Sequence, residues 1–239
     1  MAVSKDRGAS SNVSENAMTY EIIAVDWNKE QTRIWRHHVE KWCPGARITT
    51  IPDTRPIPHC WSSGKLACFS YSENPNLIYM DTDVIVTHDL KDVFDLMGDA
   101  KIGVSFGIQL NRFEKQKSRQ IAELKEGIGY RWPPIGVSSG LMVLKGVDPS
   151  VVYDGWMTMM EYPPFRTAFK RARLEEEYAL SLWLAHAYDR DEIYDIPLSV
   201  HGNICGGRHF GGVAVPWAIH YHKPERLKKY GMGGYLNIP

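Results

Sequence analysis

Two aspartates one residue apart, Asp81 and Asp83, interrupt an apolar stretch that runs from Leu77-Ile78-Tyr79-Met80 to Val84-Ile85-Val86. Carboxylates this close repel one another when buried, and a divalent cation relieves the repulsion. Hard oxygen ligands suit magnesium or manganese, and such an ion can bridge a diphosphate and neutralise charge as it leaves. The competing reading is a solvated acidic turn; the apolar flanks on both sides argue for the ion site. A second chemically able group lies near the end of the sequence, where His220, His222 and Lys223 are followed by Arg226, Lys228 and Lys229. Such a cluster can ligate a metal and contact phosphate, or form a basic surface patch. The lead-in Val215-Pro216-Trp217-Ala218-Ile219 draws His220 inward and keeps both readings open.

Elements that could position these residues follow from periodicity. Tyr20 to Val25 is a short apolar run that ends at Asp26. Lys29 to Trp42 then places Ile34, Trp35, His38, Val39 and Trp42 at helical spacing, and Cys43-Pro44-Gly45 stops that helix. Ala46 to Ile51 reads as a second strand, so the segment is a βαβ unit with parallel strands. Ser62 to Ser72 predicts a second helix. Leu77 to Val86 predicts a central strand broken by the polar turn at the aspartates. Further strands are expected at Ile102–Phe106 and Gly140–Leu144, and an amphipathic helix over Leu174–Ala187 that opens with Glu175, Glu176 and Glu177. The result is an α/β fold in a single domain over 18–239, with residues 1–17 as a disordered tail.

Composition excludes several classes. Lys plus Arg equals Asp plus Glu at 28 each, so no global field draws the chain to nucleic acid or to an anionic membrane. The basic stretch Arg112 to Lys125 could recognise a phosphate-bearing acceptor, even nucleic acid, but Glu114, Glu123 and Glu126 interleave the charges and favour a solvated helix. Cys43, Cys60, Cys68 and Cys205 form no C-x-x-C pair and read as reduced, buried thiols. The N-terminus lacks an apolar h-region, and no stretch reaches the roughly 20 apolar residues of a membrane span. A soluble, cytoplasmic protein is the expectation. Trp35, Trp42 and Trp183 occupy helical packing positions, whereas Trp61, Trp132 and Trp217 are open as ligand contacts.

The segment LIYMDTDVIVTHDL, Leu77 to Leu90, resembles the D-x-D segment of GT-A glycosyltransferases, closest to the glycogenin-like and galactosyltransferase-like family 8 group. Other segments resemble that group's motifs in the same order. Val137-Ser138-Ser139-Gly140-Leu141-Met142-Val143 is similar to its N-[SA]-G-[VL] strand, and Glu176-Glu177-Tyr178-Ala179-Leu180 to its D-Q-D-A-L helix start. Ile219-His220-Tyr221-His222-Lys223-Pro224 is similar to a shortened form of its C-terminal H-F-x-G-x-x-K-P. The likeness spans Tyr20 to Pro224. It departs at Ser138 or Ser139, where the group often has Asn, at Glu177-Tyr178, which replaces an amide-acid pair, and at His222-Lys223.

The resemblance implies a Rossmann-like, mostly parallel sheet flanked by helices and a metal-dependent transfer of sugar, with retention, from a nucleotide diphosphate sugar, a UDP-sugar first among candidates. Manganese or magnesium would be held by Asp81, Asp83 and His220, with Lys223 and Lys65 against the diphosphate. Asp26 would hold the ribose or base, or cap the first helix. Lys65 would touch donor phosphate, or face solvent from its helix. Ser139-Gly140 would let the donor sugar approach the backbone, or form an ordinary turn. Glu176 and Glu177 would orient sugar or acceptor, or serve as favourable acids at a helix start. The acceptor is not readable. Two rivals stand beside this reading. One is a haloacid-dehalogenase-like phosphatase with Asp81 as nucleophile; the other is a non-catalytic module that binds carbohydrate or nucleotide.

Overall fold

A computed structural model describes residues 18–106, 123–124, 126–169, 175–204 and 215–238. The expected tail over 1–17, most of the charged stretch Arg112 to Lys125, Cys205, and the glycines at 206, 207, 211 and 212 lie outside the described residues.

The expected βαβ unit forms from β1 (Tyr20–Asp26), α1 (Lys29–Trp42) and β2 (Ala46–Pro52), with β1 and β2 parallel. Asn28, not Asp26, caps α1, because its side chain accepts from the amides of Glu30 and Gln31. The helix buries Ile34, Trp35, His38 and Val39 against the sheet, as their spacing requires. A 3-10 turn leads into α2 (Gly64–Tyr71), which is followed by β3 (Leu77–Met80) and β4 (Val84–Val86). Then come α3 (Val93–Leu96), β5 (Ile102–Phe106), β6 (Val137–Leu144), α4 (Pro149–Glu161) and α5 (Pro163–Phe169). The chain ends with α6 (Glu175–Ala187), β7 (Ile193–Asp195), β8 (His201–Asn203), β9 (Ala218–His220) and α7 (Pro224–Lys229).

The described strands build a six-stranded sheet in the order β2-β1-β3-β6-β5-β7. Only β6 in this sheet runs against the others, pairing antiparallel with both β3 and β5. Side chains alternate across it. Ile23, Val25, Leu77, Tyr79, Met142 and Leu144 join the core beneath α2, α4 and α6. Ile22, Ala24, Ile78, Met80, Leu141 and Val143 join the core beneath α1. Burial on both faces explains why these strands read as continuous apolar runs.

One expectation needs correction. Leu77 to Val86 is not one interrupted strand, because β3 sits in the large sheet while β4 pairs with β9 in a second, three-stranded sheet. Asp81-Thr82-Asp83 is the crossing between the two, closed by the amide of Val84 donating to the Asp81 carbonyl at 3.1 Å. The polar turn thus lies where two sheets diverge, beyond the carboxyl end of β3. Ligands of open α/β sheets gather at such ends. No helix among the described residues is long and apolar enough to cross a membrane.

Candidate functional site

Five elements deliver side chains to this point. Asp81 follows Tyr79 and Leu77 on the face that meets α2. Lys65 of α2 meets it there, donating from Nζ to Asp81 Oδ2 at 2.9 Å and to Ser139 Oγ at 3.0 Å. The same ammonium stands 3.9 Å from Glu176 Oε1. The Tyr79 hydroxyl donates to the other Asp81 oxygen. Lys65 is buried, so its solvent-facing alternative is excluded. Burial opposes its charge, but Asp81, Glu176 and Glu177 outweigh burial and hold the ammonium protonated beyond the ordinary lysine range.

Ser139 and Gly140, on β6, have work other than an ordinary turn. Ser139 is fully buried; its Oγ accepts from Lys65 and its amide donates to Glu177 Oε1 at 3.1 Å. The Gly140 carbonyl accepts from the Asp81 amide at 3.0 Å. A Cβ at Gly140 would stand 2.5 Å from His220 Cε1 and 2.6 Å from His220 Nδ1. The space glycine leaves is therefore filled by the His220 ring, which the sequence does not reveal.

His220 arrives through β9, whose register with β4 pairs Val84 with His220. Its Nε2 lies 3.0 Å from Asp83 Oδ1 and 3.9 Å from Asp81 Oδ2. Burial disfavours a charged imidazole, yet Asp83, followed by Asp81, overrides it and raises His220 above the ordinary histidine value. For Asp83, burial pushes upward, but His220 and then His222 hold the carboxyl below the usual carboxylate range. Of the basic surface patch, His222 and Lys223 are exposed while His220 is buried, so the patch reading fails for His220.

His222 adds a third group. Its Nδ1 is 3.6 Å from Asp83 Oδ2, and its ring stacks on His220 with centroids 3.9 Å apart. The ring side that lies against the protein loses solvent, and this partial burial and then the neighbouring His220 push His222 down to about 4. His222 is the non-glycine residue with a positive φ among the described residues, at 55°. That conformation costs a residue with a β-carbon about 1–2 kcal/mol.

Glu176 and Glu177 open α6 against this cluster. Glu176 is buried and its carboxyl is raised by that burial. Burial and then the charge of Glu176 push Glu177 up to about 7. Asp26 accepts from the Thr32 hydroxyl at 2.6 Å. The parallel register of Ile23 with Tyr79 puts Asp26 at the same sheet end as Asp81. Lys223 lies exposed beside His222 and starts α7. Trp132 packs, donating to the Tyr188 carbonyl at 2.9 Å, while half-buried Trp217 stacks with His88. Tyr79 is the site residue that sequence reasoning missed; its position two residues before Asp81, on the same strand face, is the signal for it.

The donor set fits a divalent ion. Ligand atoms of Asp83, His220 and His222 lie within 4.8 Å of one another, and Asp81 Oδ2 faces His220 beside them. Carboxylate oxygen with imidazole nitrogen suits first-row divalent metals.

No protein-family model and no curated protein matches the chain in sequence. Solved structures match in fold. The galactosyltransferase LgtC, solved with donor and acceptor sugar analogues, aligns with a TM-score of 0.55 at 13% identity, over 92% of this chain and 98% of that one. The apo glycosyltransferase GlyE of Streptococcus pneumoniae TIGR4 aligns with a TM-score of 0.60 at 13% identity, over 94% of this chain and 61% of that one. Mouse xyloside xylosyltransferase 1 gives 0.50 at 10% identity, over 84% of this chain and 96% of that one. The chain therefore has the GT-A glycosyltransferase fold, as the ordered motif resemblance implies.

Proposed function

We propose that this chain is a metal-dependent glycosyltransferase that moves a sugar from a nucleotide diphosphate sugar, with UDP as the nucleotide, and with retention. The observation that carries the reading is the meeting of Asp81, Asp83 and His220 at the carboxyl end of β3, within a GT-A fold. Asp81, Asp83 and His220 would hold manganese or magnesium. When bound, that ion would neutralise the diphosphate as it leaves.

The chain's own residues have assignable tasks. Lys65 and the Tyr79 hydroxyl fix the Asp81 carboxylate, while Gly140 admits the His220 ring that faces it. Ser139 ties Lys65 to Glu177 and so acts as a positioning residue rather than by touching the sugar. Exposed Lys223 would reach the diphosphate as a point charge. Asp26, at the same sheet end, would hold the ribose or base. Glu176 and Glu177 would orient the transferred sugar or its acceptor. Cys43, Cys60 and Cys68 are buried free thiols, which suits a reducing compartment such as the cytoplasm.

The phosphatase rival is not favoured, because the solved structures that match this fold are glycosyltransferases. A non-catalytic module differs from a transferase in turnover. Nucleotide sugars are to be incubated with manganese, with and without chelator, and nucleotide release measured. Chelator-sensitive release from a UDP-sugar is expected; binding without release from any donor would favour the module.

A further inference from the structure

His222 has no task in the transfer just described, yet its placement is costly and specific. Its Nδ1 faces Asp83 Oδ2 at 3.6 Å, while His220 Nε2 faces Asp83 Oδ1 at 3.0 Å. One carboxylate is thus flanked by an imidazole on each oxygen. The Lys223 amide donates to the Tyr221 carbonyl at 2.6 Å, closing a tight turn around the positive φ of His222. Such a turn is natural for glycine and strained for histidine. The residue kept there instead lays its ring over His220 and its nitrogen toward Asp83. Its side chain is 41% exposed, against 20% for Asp83 and 5% for His220, so it stands at the solvent side of that pair.

We propose that His222 is a ligand of the bound ion together with Asp83 and His220, and that this second imidazole sets the choice of metal. The inference rests on the metal dependence proposed above. Magnesium prefers all-oxygen octahedra and keeps its waters, whereas imidazole nitrogen binds later first-row ions more strongly. A centre with two imidazoles therefore favours manganese, and still more cobalt or zinc, over magnesium. The alternative is a surface histidine that merely stacks on His220.

Cobalt(II) serves as the probe, because its visible absorption reports the ligands directly. Titrations of wild type, His222→Ala, His222→Gly and His220→Ala would be compared with magnesium competition. Wild type is expected to prefer cobalt over magnesium by at least about 10-fold. His222→Ala should weaken cobalt by about 10-fold or more and change the band, while magnesium affinity moves by less than about 3-fold. His222→Gly relieves the strained turn, so its metal-free melting temperature should equal or exceed that of wild type while its cobalt-induced rise shrinks. Unchanged cobalt affinity and absorption in both His222 variants, with loss in His220→Ala, would overturn the ligand role and leave the transferase reading intact. A wild-type protein that binds neither cobalt nor manganese would instead overturn the metal dependence beneath it.

Discussion

Asp81 and Asp83 stand one residue apart and live in opposite surroundings. Asp81 is held by the protein's own cation, with Lys65 on one oxygen and the Tyr79 hydroxyl on the other. Asp83 faces two imidazoles instead, His220 and His222. Lysine stays protonated and cannot bind a metal in that state, whereas imidazole binds one when neutral. The Asp81 side is therefore a fixed wall and the Asp83 side the adaptable one. The comparison separates the carboxylate that the protein fixes in place, Asp81, from the carboxylate that shares its surroundings with two imidazoles, Asp83.

Breaking each side should give a different signature. The largest effect is expected on the Asp83 side, where His220→Ala should lower metal-dependent donor hydrolysis by about 10²- to 10³-fold, measured as nucleotide release at saturating manganese. On the Asp81 side, Lys65→Met leaves Asp81 and Glu176 buried without their cation. Loss of a buried partner costs about 3–5 kcal/mol, so urea unfolding at pH 7 should show a stability deficit of that order. A merely surface role for Lys65 would leave the midpoint in place.

Gly140→Ala tests the wall between the two sides. Its Cβ would meet His220 and stand 3.3 Å from Asp81 Oδ2. Overpacking of this kind costs about 1–3 kcal/mol, and displacement of His220 should weaken manganese binding measured by calorimetry. The smallest effect is the pH dependence of stability through Glu177. Its carboxyl is raised in the folded state, from the ordinary 4.5 to about 7. The folded chain therefore keeps a proton that the unfolded chain releases first. The resulting stability is full below pH 4.5 and is lost as pH rises through 7. Glu177→Gln should flatten the fall in metal-free unfolding free energy across pH 4.5 to 7; an unchanged slope would show that Glu177 titrates normally.

How much of this was legible in sequence depends on the range of the interaction. The β1–α1–β2 unit was readable because local periodicity and the Cys43-Pro44-Gly45 stop agree. Asp81 and Asp83 stood out because they interrupt an apolar run, which weighs against a solvated acidic turn. The split of Leu77 to Val86 into two sheets was hidden, since both β3 and β4 are buried and both flanks look alike. Strands β7, β8 and β9 have three residues each, too few to display a period of two. Helix α4 carries local signals: an Asp148 cap, Pro149 in its first turn, and Val152, Trp156, Met159 and Met160 at helical spacing. The roles of Lys65, Ser139 and Gly140 were left open because each depends on a partner far along the chain. Lys65 meets Ser139, and Gly140 meets His220, only after the sheet has formed. The backbone of His222 was invisible for the same reason.

Replacing both Asp81 and Asp83 with alanine tests the central claim most directly. Manganese-dependent nucleotide release from a UDP-sugar would be measured for wild type and for the double variant, with circular dichroism to verify that the variant is folded. The account predicts chelator-sensitive release by wild type and none above background for the folded double variant. Undiminished metal-dependent release from that variant would contradict it.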